Sequence, residues 1–445
     1  MILSAYPLKA VSRKSIVDRE EPFMEEQICR QIEQILAEEL LPATGCTEPV
    51  SIAYAAAKAR ELLGREPERL LVEVSGNILK NVKSVVVPHT GGLRGIRAAA
   101  LAGALIGDPE AELEVLSRAS PEQIETLAPA LARIPVEVRF ADTPYIFDIM
   151  ISAFAGEDSS FVRIAEHHTN LVCLRHNGET LLETPLDEPK GSEAGREILT
   201  VERIADYAEH ADLATVAPLL ERQIHYNMAI AEEGLRHPYG ANIGKTLLRG
   251  HEDCLDYKMR AYAAAASDAR MSGCELPVVI NSGSGNQGIT ASVPVIVYAR
   301  ETGKSHEELL RALLVSNLLT IHLKTGIGRL SAYCGAVSAG CGAGAGIAWL
   351  QGGRLREIAH TVVNAVAVTS GIVCDGAKAS CAAKIAAAVD AGLLGLSMFR
   401  DGNQFYGGDG IVKKGVENTI ANVGRLARDG MRETDREILR LMLES

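Results

Sequence analysis

The sequence is poor in aromatic residues, in positive charge and in long apolar runs. Aromatic side chains make up 4% of the 445 residues, whereas glycine and alanine are abundant, which favours closely packed helices over an aromatic-rich β-sandwich. A net charge of −12 argues against nucleic acid or an anionic membrane as the main partner. Because the chain lacks an uninterrupted apolar run of about 18 residues and a secretory pattern at its start, the sequence predicts a cytoplasmic protein.

Cysteines are the residues whose abundance calls for a reason, because a cytoplasmic setting argues against a disulfide framework. Nine are present, and four lie in a stretch of small residues, at Cys334, Cys341, Cys374 and Cys381. A stretch so poor in bulk predicts backbone packed closely around something that the cysteines hold.

The spacing of these four cysteines limits what they can bind. Both pairs are seven residues apart, about 10.5 Å on a straight helix, so a pair shares one metal centre only if the chain between them bends. Gly335 and Gly340 in one segment, and Gly376 in the other, provide places to bend. The late cysteines show neither C-x2-C spacing nor a following histidine at zinc spacing. Residue chemistry leaves an iron–sulfur cluster, buried unliganded thiols and a zinc site open.

The hydrophobic pattern predicts an α+β fold. Residues 1–23 have no clear period, and Met24, an alternative start, opens the first helical pattern. Residues 24–190 alternate strand-like and helical segments and predict a mixed β-sheet with helices. Residues 191–445 predict a mostly α-helical region that carries the late cysteines, after a charged Pro/Gly-bearing linker. The strand-like runs are RLLVEVSGNIL, SVVVPHTGG, IPVEVRF, YIFDIMISAF, SFVRIAEH and NLVCLRHNGETLLE.

A run of glycines and polar residues between two apolar segments is the best candidate for a ligand-binding loop. It consists of Ser282, Gly283, Ser284, Gly285 and Asn286. At a helix entrance such residues present backbone N–H groups and hydroxyls to an anion. Because this motif contains no Lys or Arg, it favours a small carboxylate over a phosphate; a plain turn is the alternative.

Two other segments are candidates for chemistry. Cys46 precedes the helix that Pro49 begins, where the positive field of a helix N-terminus lowers a thiol pKa; a small residue in a capping loop is the alternative. His168 and Asn170 belong to the polar quartet HHTN at a strand-to-strand connection. Substrate binding and an ordinary turn both explain such a quartet.

Five motifs in order resemble the L-cysteine desulfidase family, which is grouped with the UPF0597 proteins and is similar to the α-chain of iron–sulfur L-serine dehydratases. These motifs are GCTEP, HHTN, NSGSGNQGIT, GRLSAYCGA and GIVCDGAKASC. The resemblance extends over nearly all of the chain from Met24 onward.

The resemblance implies an oxygen-sensitive [4Fe–4S] cluster held by Cys334, Cys374 and Cys381, with the fourth iron open to substrate. It implies Cys46 as the base that removes the α-proton, and no pyridoxal phosphate. Cys341 has no role in the family and is expected to be a nearby thiol. The serine dehydratases space their last two ligand cysteines more widely, so the match is closer to the desulfidases.

The implied reaction is β-elimination from L-cysteine to pyruvate, ammonia and sulfide. The substrate carboxylate would lie in the Ser282–Asn286 loop and its thiolate on the open iron, which acts as a Lewis acid. His168 and Asn170 would hold the amino or carboxylate group. An L-serine dehydratase is the first alternative. The second is a non-enzymatic sensor of a small amino acid, in which Cys341 would close the cluster. The resemblance also implies a homodimer.

Overall fold

A computed structural model describes residues 24–44, 47–186, 195–328 and 331–444 of the chain. Within these ranges lie sixteen α-helices and eight β-strands, which confirms the predicted α+β class. The helices are α1 Glu26–Glu39, α2 Thr47–Leu63, α3 Gly76–Val82, α4 Gly95–Ile106, α5 Pro121–Arg133, α6 Val201–His210, α7 Leu213–Arg236, α8 Ile243–Leu248, α9 Leu255–Met271, α10 Gly285–Glu301, α11 His306–Thr325, α12 Gly335–Leu350, α13 Leu355–Thr369, α14 Ser380–Arg400, α15 Val416–Arg425 and α16 Arg432–Glu444. The strands are β1 Pro42–Thr44, β2 Arg69–Val74, β3 Val136–Phe140, β4 Asp148–Ala155, β5 Asp158–Ala165, β6 Leu171–His176, β7 Glu179–Glu183 and β8 Pro277–Val279.

The predicted mixed sheet has six strands in the order β3-β2-β4-β5-β6-β7. Strands β2 and β3 run parallel, and the other neighbours are antiparallel. In β2, Leu70, Val72 and Val74 alternate with less buried residues and turn one face into the core. Helix α2 contacts β4 and β5, and α4 contacts β2 and β3, so both helices cover the sheet.

Helix α12 lies at the centre of the helical region, in contact with α10, α11, α13 and α14. Its glycines allow this close packing, because a Cβ at Gly340 would lie 2.3 Å from the carbonyl oxygen of Ala388 on α14. A Cβ at Gly342 would lie 2.5 Å from the carbonyl oxygen of Ser316 on α11. This corrects two expectations. Most of the small residues pack against helices rather than around a cysteine-bound group, and Gly340 continues a helix rather than bending the chain.

The run SVVVPHTGG does not form the predicted strand. The chain reverses within it, with the amide of Val87 donating to the carbonyl of Leu93 at 2.9 Å, and only Val86 and Arg94 form an isolated bridge. Pro88 offers no amide to a strand partner, and two glycines follow three residues later. The valines are buried by packing instead of by sheet pairing.

The buried apolar side chains form two main clusters. One joins α2 and α4 to the sheet, and the other joins the C-terminal helices and includes Ile32 and Leu36 of α1. The expected boundary at residue 190 and the expected N-terminal extension, residues 1–23, lie outside the described residues. The division into domains therefore stays a prediction.

Helix α14 is the one described helix that is long and apolar enough to span a membrane. However, 56% of its apolar window is buried inside the protein, where the helix packs against α9, α12 and α13. A core helix has the same length and composition, so the packing explains why α14 is apolar.

Candidate functional site

One cavity brings together segments that are far apart in the chain. Its wall includes all five residues of the predicted loop and the three cysteines that the resemblance assigned to a cluster: Ser282, Gly283, Ser284, Gly285, Asn286, Cys334, Cys374 and Cys381. Ala43, Thr47 and Glu48 line it as well. Cys46 lies outside the described residues, but the described residues on either side of it reach this wall.

The loop at the cavity is a tight turn that ends at the first residue of α10. The amide of Ser284 donates to the carbonyl of Asn281 at 3.0 Å. Ser282 and Gly283, the two central residues, have φ of 49° and 74°. A left-handed backbone is costly for serine, and such strain is found mostly where function requires it. The turn therefore directs the loop toward the start of α10, as the sequence predicted.

A buried amide network holds this loop in place. The side chain of Asn281 donates to the side-chain oxygen of Asn317 at 3.0 Å, and Asn317 exchanges two hydrogen bonds with Gln223 at 2.8 and 3.0 Å. All three residues are fully buried. Because unmade hydrogen bonds are costly inside a protein, this network fixes a single position for the loop. The sequence analysis missed it, since its members come from three separate segments.

Backbone hydrogen bonds bring two of the cysteines side by side. The amide of Cys334 donates to Ile372 at 3.0 Å, and that of Cys374 donates to Ala332 at 2.6 Å. Cys334 caps α12, whereas Cys381 is the second residue of α14 and its thiol contacts the carbonyl of Gly376 at 3.5 Å. The three thiols therefore approach the cavity from three segments.

Cys341 is separated from these three. It lies two turns into α12, is 1% exposed and is not part of the described cavity wall. Burial raises the pKa of its thiol to about 12. This is the behaviour of a buried structural thiol.

Two of the thiols at the cavity, those of Cys334 and Cys381, are protonated more firmly than an ordinary cysteine. Burial, and then the neighbouring Cys374, raise the pKa of Cys334 to about 12, and burial also raises the pKa of Cys381. Thiols in such surroundings lose their protons when a metal binds them. A raised pKa in the metal-free protein is therefore compatible with a role of these thiols as metal ligands.

Four helix N-termini point at the same cavity. Residues from the first turns of α2, α10, α12 and α14 all line it, and each helix has ten or more residues. A helix N-terminus carries a partial positive charge of roughly half a unit and unpaired N–H groups, both of which favour anions. The cavity is thus built for negative charge within an acidic protein.

Three buried cations that the sequence analysis missed strengthen this field. Lys80, Arg270 and Lys324 line the cavity and are 2%, 8% and 5% exposed. Among the described residues of the wall, Glu48 is the one carboxylate. Lys80 pairs with Asp435 at 2.5 Å, and a Cβ at Gly285 would lie 2.4 Å from Nε of Arg270. The guanidinium therefore lies directly against the loop.

The loop motif itself contains no Lys or Arg, as the sequence analysis noted, but cations from other segments lie beside it. The available signal was weak, because Arg270 and Lys324 lie in the last turns of α9 and α11, where basic residues are common. Their burial, which marks them as unusual, is a tertiary property.

The positions of the cysteines limit which kind of metal group this cavity can hold. The described residues contain no group of three or more His, Cys, Asp or Glu side chains placed to bind a single metal ion. An iron–sulfur cluster differs, since its cysteines bind different iron atoms and need not converge on one point. Three thiols on one wall, with helix N-termini and cations around them, fit that requirement.

The structure does not bring His168 and Asn170 to this cavity, as far as its wall is described. They lie in the connection between β5 and β6, where the ring of His168 packs against Phe147 with centroids 4.7 Å apart. The side chain of Asn170 donates to the carbonyl of Ala165 at 3.0 Å. These contacts match the turn alternative.

Comparison with known proteins identifies the family of the chain. The family model for the serine dehydratase alpha chain matches residues 110–440. The chain is 56% identical to a UPF0597 protein of Desulfitobacterium hafniense over 92% of this chain and 95% of the relative. UPF0597 proteins of Lachnoclostridium phytofermentans and Treponema denticola are 49% and 47% identical over 92% of this chain and 98% and 97% of those relatives.

The family match thus makes this chain a dehydratase-like protein of the lyase class. The chain is a member of the serine dehydratase alpha chain family, within its UPF0597 relatives. This confirms the family that the five motifs predicted.

Proposed function

We propose that the protein is a β-elimination lyase that converts L-cysteine to pyruvate, ammonia and sulfide. The observation that carries the proposal is one shared cavity wall, where Cys334, Cys374 and Cys381 face the Ser282–Asn286 loop. A thiol donor set beside an anion-binding loop suits an enzyme that holds a metal group next to a small carboxylate substrate. A cytoplasmic homodimer belongs to the same proposal.

The three cysteines would hold a [4Fe–4S] cluster. When bound with three protein ligands, such a cluster supplies a Lewis acid that helps the leaving group depart, so pyridoxal phosphate is not required. Lys384 supports the segment that carries two of these ligands. Its amine donates to the carbonyl of Val373 at 2.9 Å and pairs with Asp375, which also pairs with Lys378 at 2.6 Å.

The substrate carboxylate would be bound by the loop and by Arg270. The N-terminus of α10 begins within the loop, and Nη1 of Arg270 lies 3.4 Å from Oδ1 of Asn286, so N–H donors converge there. Charge-assisted hydrogen bonds of this kind are about twice as strong as neutral ones. They would fix the orientation of the substrate Cα.

Cys46 would remove the Cα proton. It directly precedes Thr47, the first residue of α2, and Thr47 lines the cavity. A thiol at a helix N-terminus has a lowered pKa, which would favour the thiolate, the form that a base requires. Replacing Cys46 with Ser should leave the iron content unchanged and abolish turnover. Full activity in that variant would reject Cys46 as the base.

The assay that tests the proposal compares two substrates on anaerobically reconstituted protein. Sulfide and pyruvate released in equal amounts from L-cysteine, faster than pyruvate from L-serine, would support the proposal. Pyruvate from L-serine alone would support an L-serine dehydratase, the second candidate, which the match to the serine dehydratase alpha chain over residues 110–440 favours. Saturable binding of both amino acids without product would instead support a sensor.

A further inference from the structure

We infer that Gln287 recognises the α-ammonium group of the substrate, so that the cavity selects amino acids over the matching acids without an amino group. The inference rests on the proposed function, because it takes the cavity as the substrate site. It adds a specificity-determining residue that belongs to none of the predicted sets.

The side chain of Gln287 carries a buried acceptor that the protein does not satisfy. Gln287 is 5% exposed and lines the cavity. Its Nε2 donates to the carbonyl of Ser282 at 3.5 Å, whereas Oε1 has no hydrogen-bond partner among the described residues. A buried acceptor without a partner is unfavourable, so a ligand that donates to it binds more tightly.

Packing holds this acceptor between the anion-binding loop and the first cysteine. A Cβ at Gly335, the residue after Cys334, would lie 2.5 Å from Cδ of Gln287 and 2.8 Å from its Oε1. Glycine at position 335 therefore allows the amide to lie flat against the start of α12. Gln287 itself lies in the first turn of α10, next to the loop.

The chemistry of the wall indicates which ligand group would meet Oε1. The described wall offers mainly donors, from helix N-termini and from Lys80, Arg270 and Lys324, and these suit a carboxylate. A carboxylate has nothing to donate to an amide oxygen, whereas an ammonium group has three N–H donors.

Glu48 contributes the negative charge of the described wall to the binding of that ammonium group. It is the one carboxylate among the described residues of the wall, and it accepts hydrogen bonds from Asn81 at 3.3 Å and from Thr47 at 3.5 Å. Glu48 supplies opposite charge, and Gln287 supplies the acceptor that the protein leaves open. A site that hydrogen-bonds a substrate N–H strongly rejects the analogue that lacks it.

The experiment compares L-cysteine with 3-mercaptopropanoate, which keeps the carboxylate and thiol but lacks the amino group. In Gln287→Met, which has similar volume and no amide, we expect KM for L-cysteine to rise about 10- to 100-fold. The inhibition constant of 3-mercaptopropanoate should stay within about 3-fold of wild type, because its contacts do not include Oε1. In Gln287→Glu, which keeps an acceptor, the preference for L-cysteine should persist.

Gln351→Met is the matched control. The amide oxygen of Gln351 also lacks a partner within the described chain, but Gln351 follows the opposite end of α12 and is not part of the described wall. Neither constant should change in that variant. An unchanged KM in Gln287→Met, an equal loss for both ligands, or loss of the preference in Gln287→Glu would overturn the inference.

Failure of the proposed function is distinguishable in the same experiment. If wild type binds L-cysteine without forming product, anaerobic calorimetry measures both ligands in place of kinetics. A preference that depends on Gln287 would then support amino recognition although the lyase proposal had failed. Turnover of L-cysteine whose KM does not depend on Gln287 would support the lyase proposal and reject amino recognition by Gln287.

Discussion

The Ser282–Asn286 loop and the connection His167–Asn170 are both short polar segments between apolar runs, yet only the first lines the cavity in the described structure. The first leads into α10, a helix of 17 residues, and leaves its donors directed at the cavity. The second closes on itself, since the amides of His167 and Asn170 and the side chain of Asn170 all bond within residues 165–170. Polar composition alone does not make a segment a binding site. Whether its donors face a cavity depends on the elements that surround the segment.

Each of the two regions contains an arginine, buried in the case of Arg270 and half-buried in the case of Arg163, and the two have different partners. Arg270 lies against the loop with its guanidinium at Gly285. Arg163, in the strand that precedes the connection, forms two hydrogen bonds with the fully buried Asp148, at 2.9 and 2.7 Å. We therefore expect Arg270 to bind the ligand and Arg163 to stabilise the fold.

The largest effect is expected from Arg270→Ala. Removing the guanidinium takes a charge-assisted donor from the substrate carboxylate, so kcat/KM for L-cysteine should fall about 100-fold or more. Arg270→Lys, which keeps the charge without the planar fork, should recover part of the loss. Steady-state kinetics on reconstituted protein measures both variants. If kcat/KM of Arg270→Ala stays within about 3-fold of wild type, Arg270 does not bind the substrate carboxylate.

Arg163→Ala should affect stability instead. It leaves the Asp148 carboxylate buried without its cation, which should lower the free energy of unfolding by about 3 kcal/mol. Denaturant unfolding measures the loss, and KM for L-cysteine serves as the control, because Arg163 is not part of the described wall. If Arg163→Ala keeps its stability and loses affinity for L-cysteine, Arg163 acts on the ligand and its assignment to the fold is wrong.

A buried aspartate in the helical region should give a pH-dependent effect. Burial raises the pKa of the Asp268 carboxyl from its ordinary value of 3.8 to about 6, although amide donors from Gly244 and Ile243 lower the pKa in part. The folded state then binds the proton more tightly than the unfolded state, so stability falls as pH rises from about 4 to about 6. Asp268→Asn should remove this decline and raise stability at pH 7 by about 2 kcal/mol.

Thermal unfolding of wild type and Asp268→Asn across pH 4 to 8 tests this effect. The two curves should converge at the acid end and separate as pH rises. Parallel curves would mean that Asp268 does not titrate in this range. Asp148 is the matched buried carboxyl, since it already has an arginine partner, and Asp148→Asn should destabilise the fold instead.

The smallest effects are expected in the connection. Asn170→Ala removes one hydrogen bond to Ala165 and should cost about 1 kcal/mol of stability. His168→Ala removes a ring contact with Phe147 and should cost a similar amount. Both variants should keep kcat/KM within about 3-fold of wild type. A loss of about 100-fold in either would show that the connection belongs to the site after all.

Local pattern predicted most of the elements. The alternation in β2 and the glycines before α10 are local signals, and the structure contains both features. The strand predicted around Val86 was wrong. Its apolar residues resemble a strand, but Pro88 and the following glycines reverse the chain.

The rest of the site depends on contacts between distant segments. Lys80, Arg270 and Lys324 belong to three helices, and no spacing in the sequence indicates that they share a cavity. Cys334 and Cys341 would need a bend between them to share a metal centre, but the helix continues, and Gly340 packs against Ala388 of α14. The continuous helix therefore keeps the two thiols about two turns apart, and the spacing alone could not decide between a helix and a bend.

Iron content in two cysteine variants tests the central claim most directly. After anaerobic reconstitution, wild type and Cys341→Ala should each bind one [4Fe–4S] cluster per chain with the same visible absorbance, because Cys341 is buried away from the described cavity wall. Cys334→Ala should lose most of its iron, since it removes one of three ligands. A colourless wild type, or equal iron in the two variants, would contradict the account.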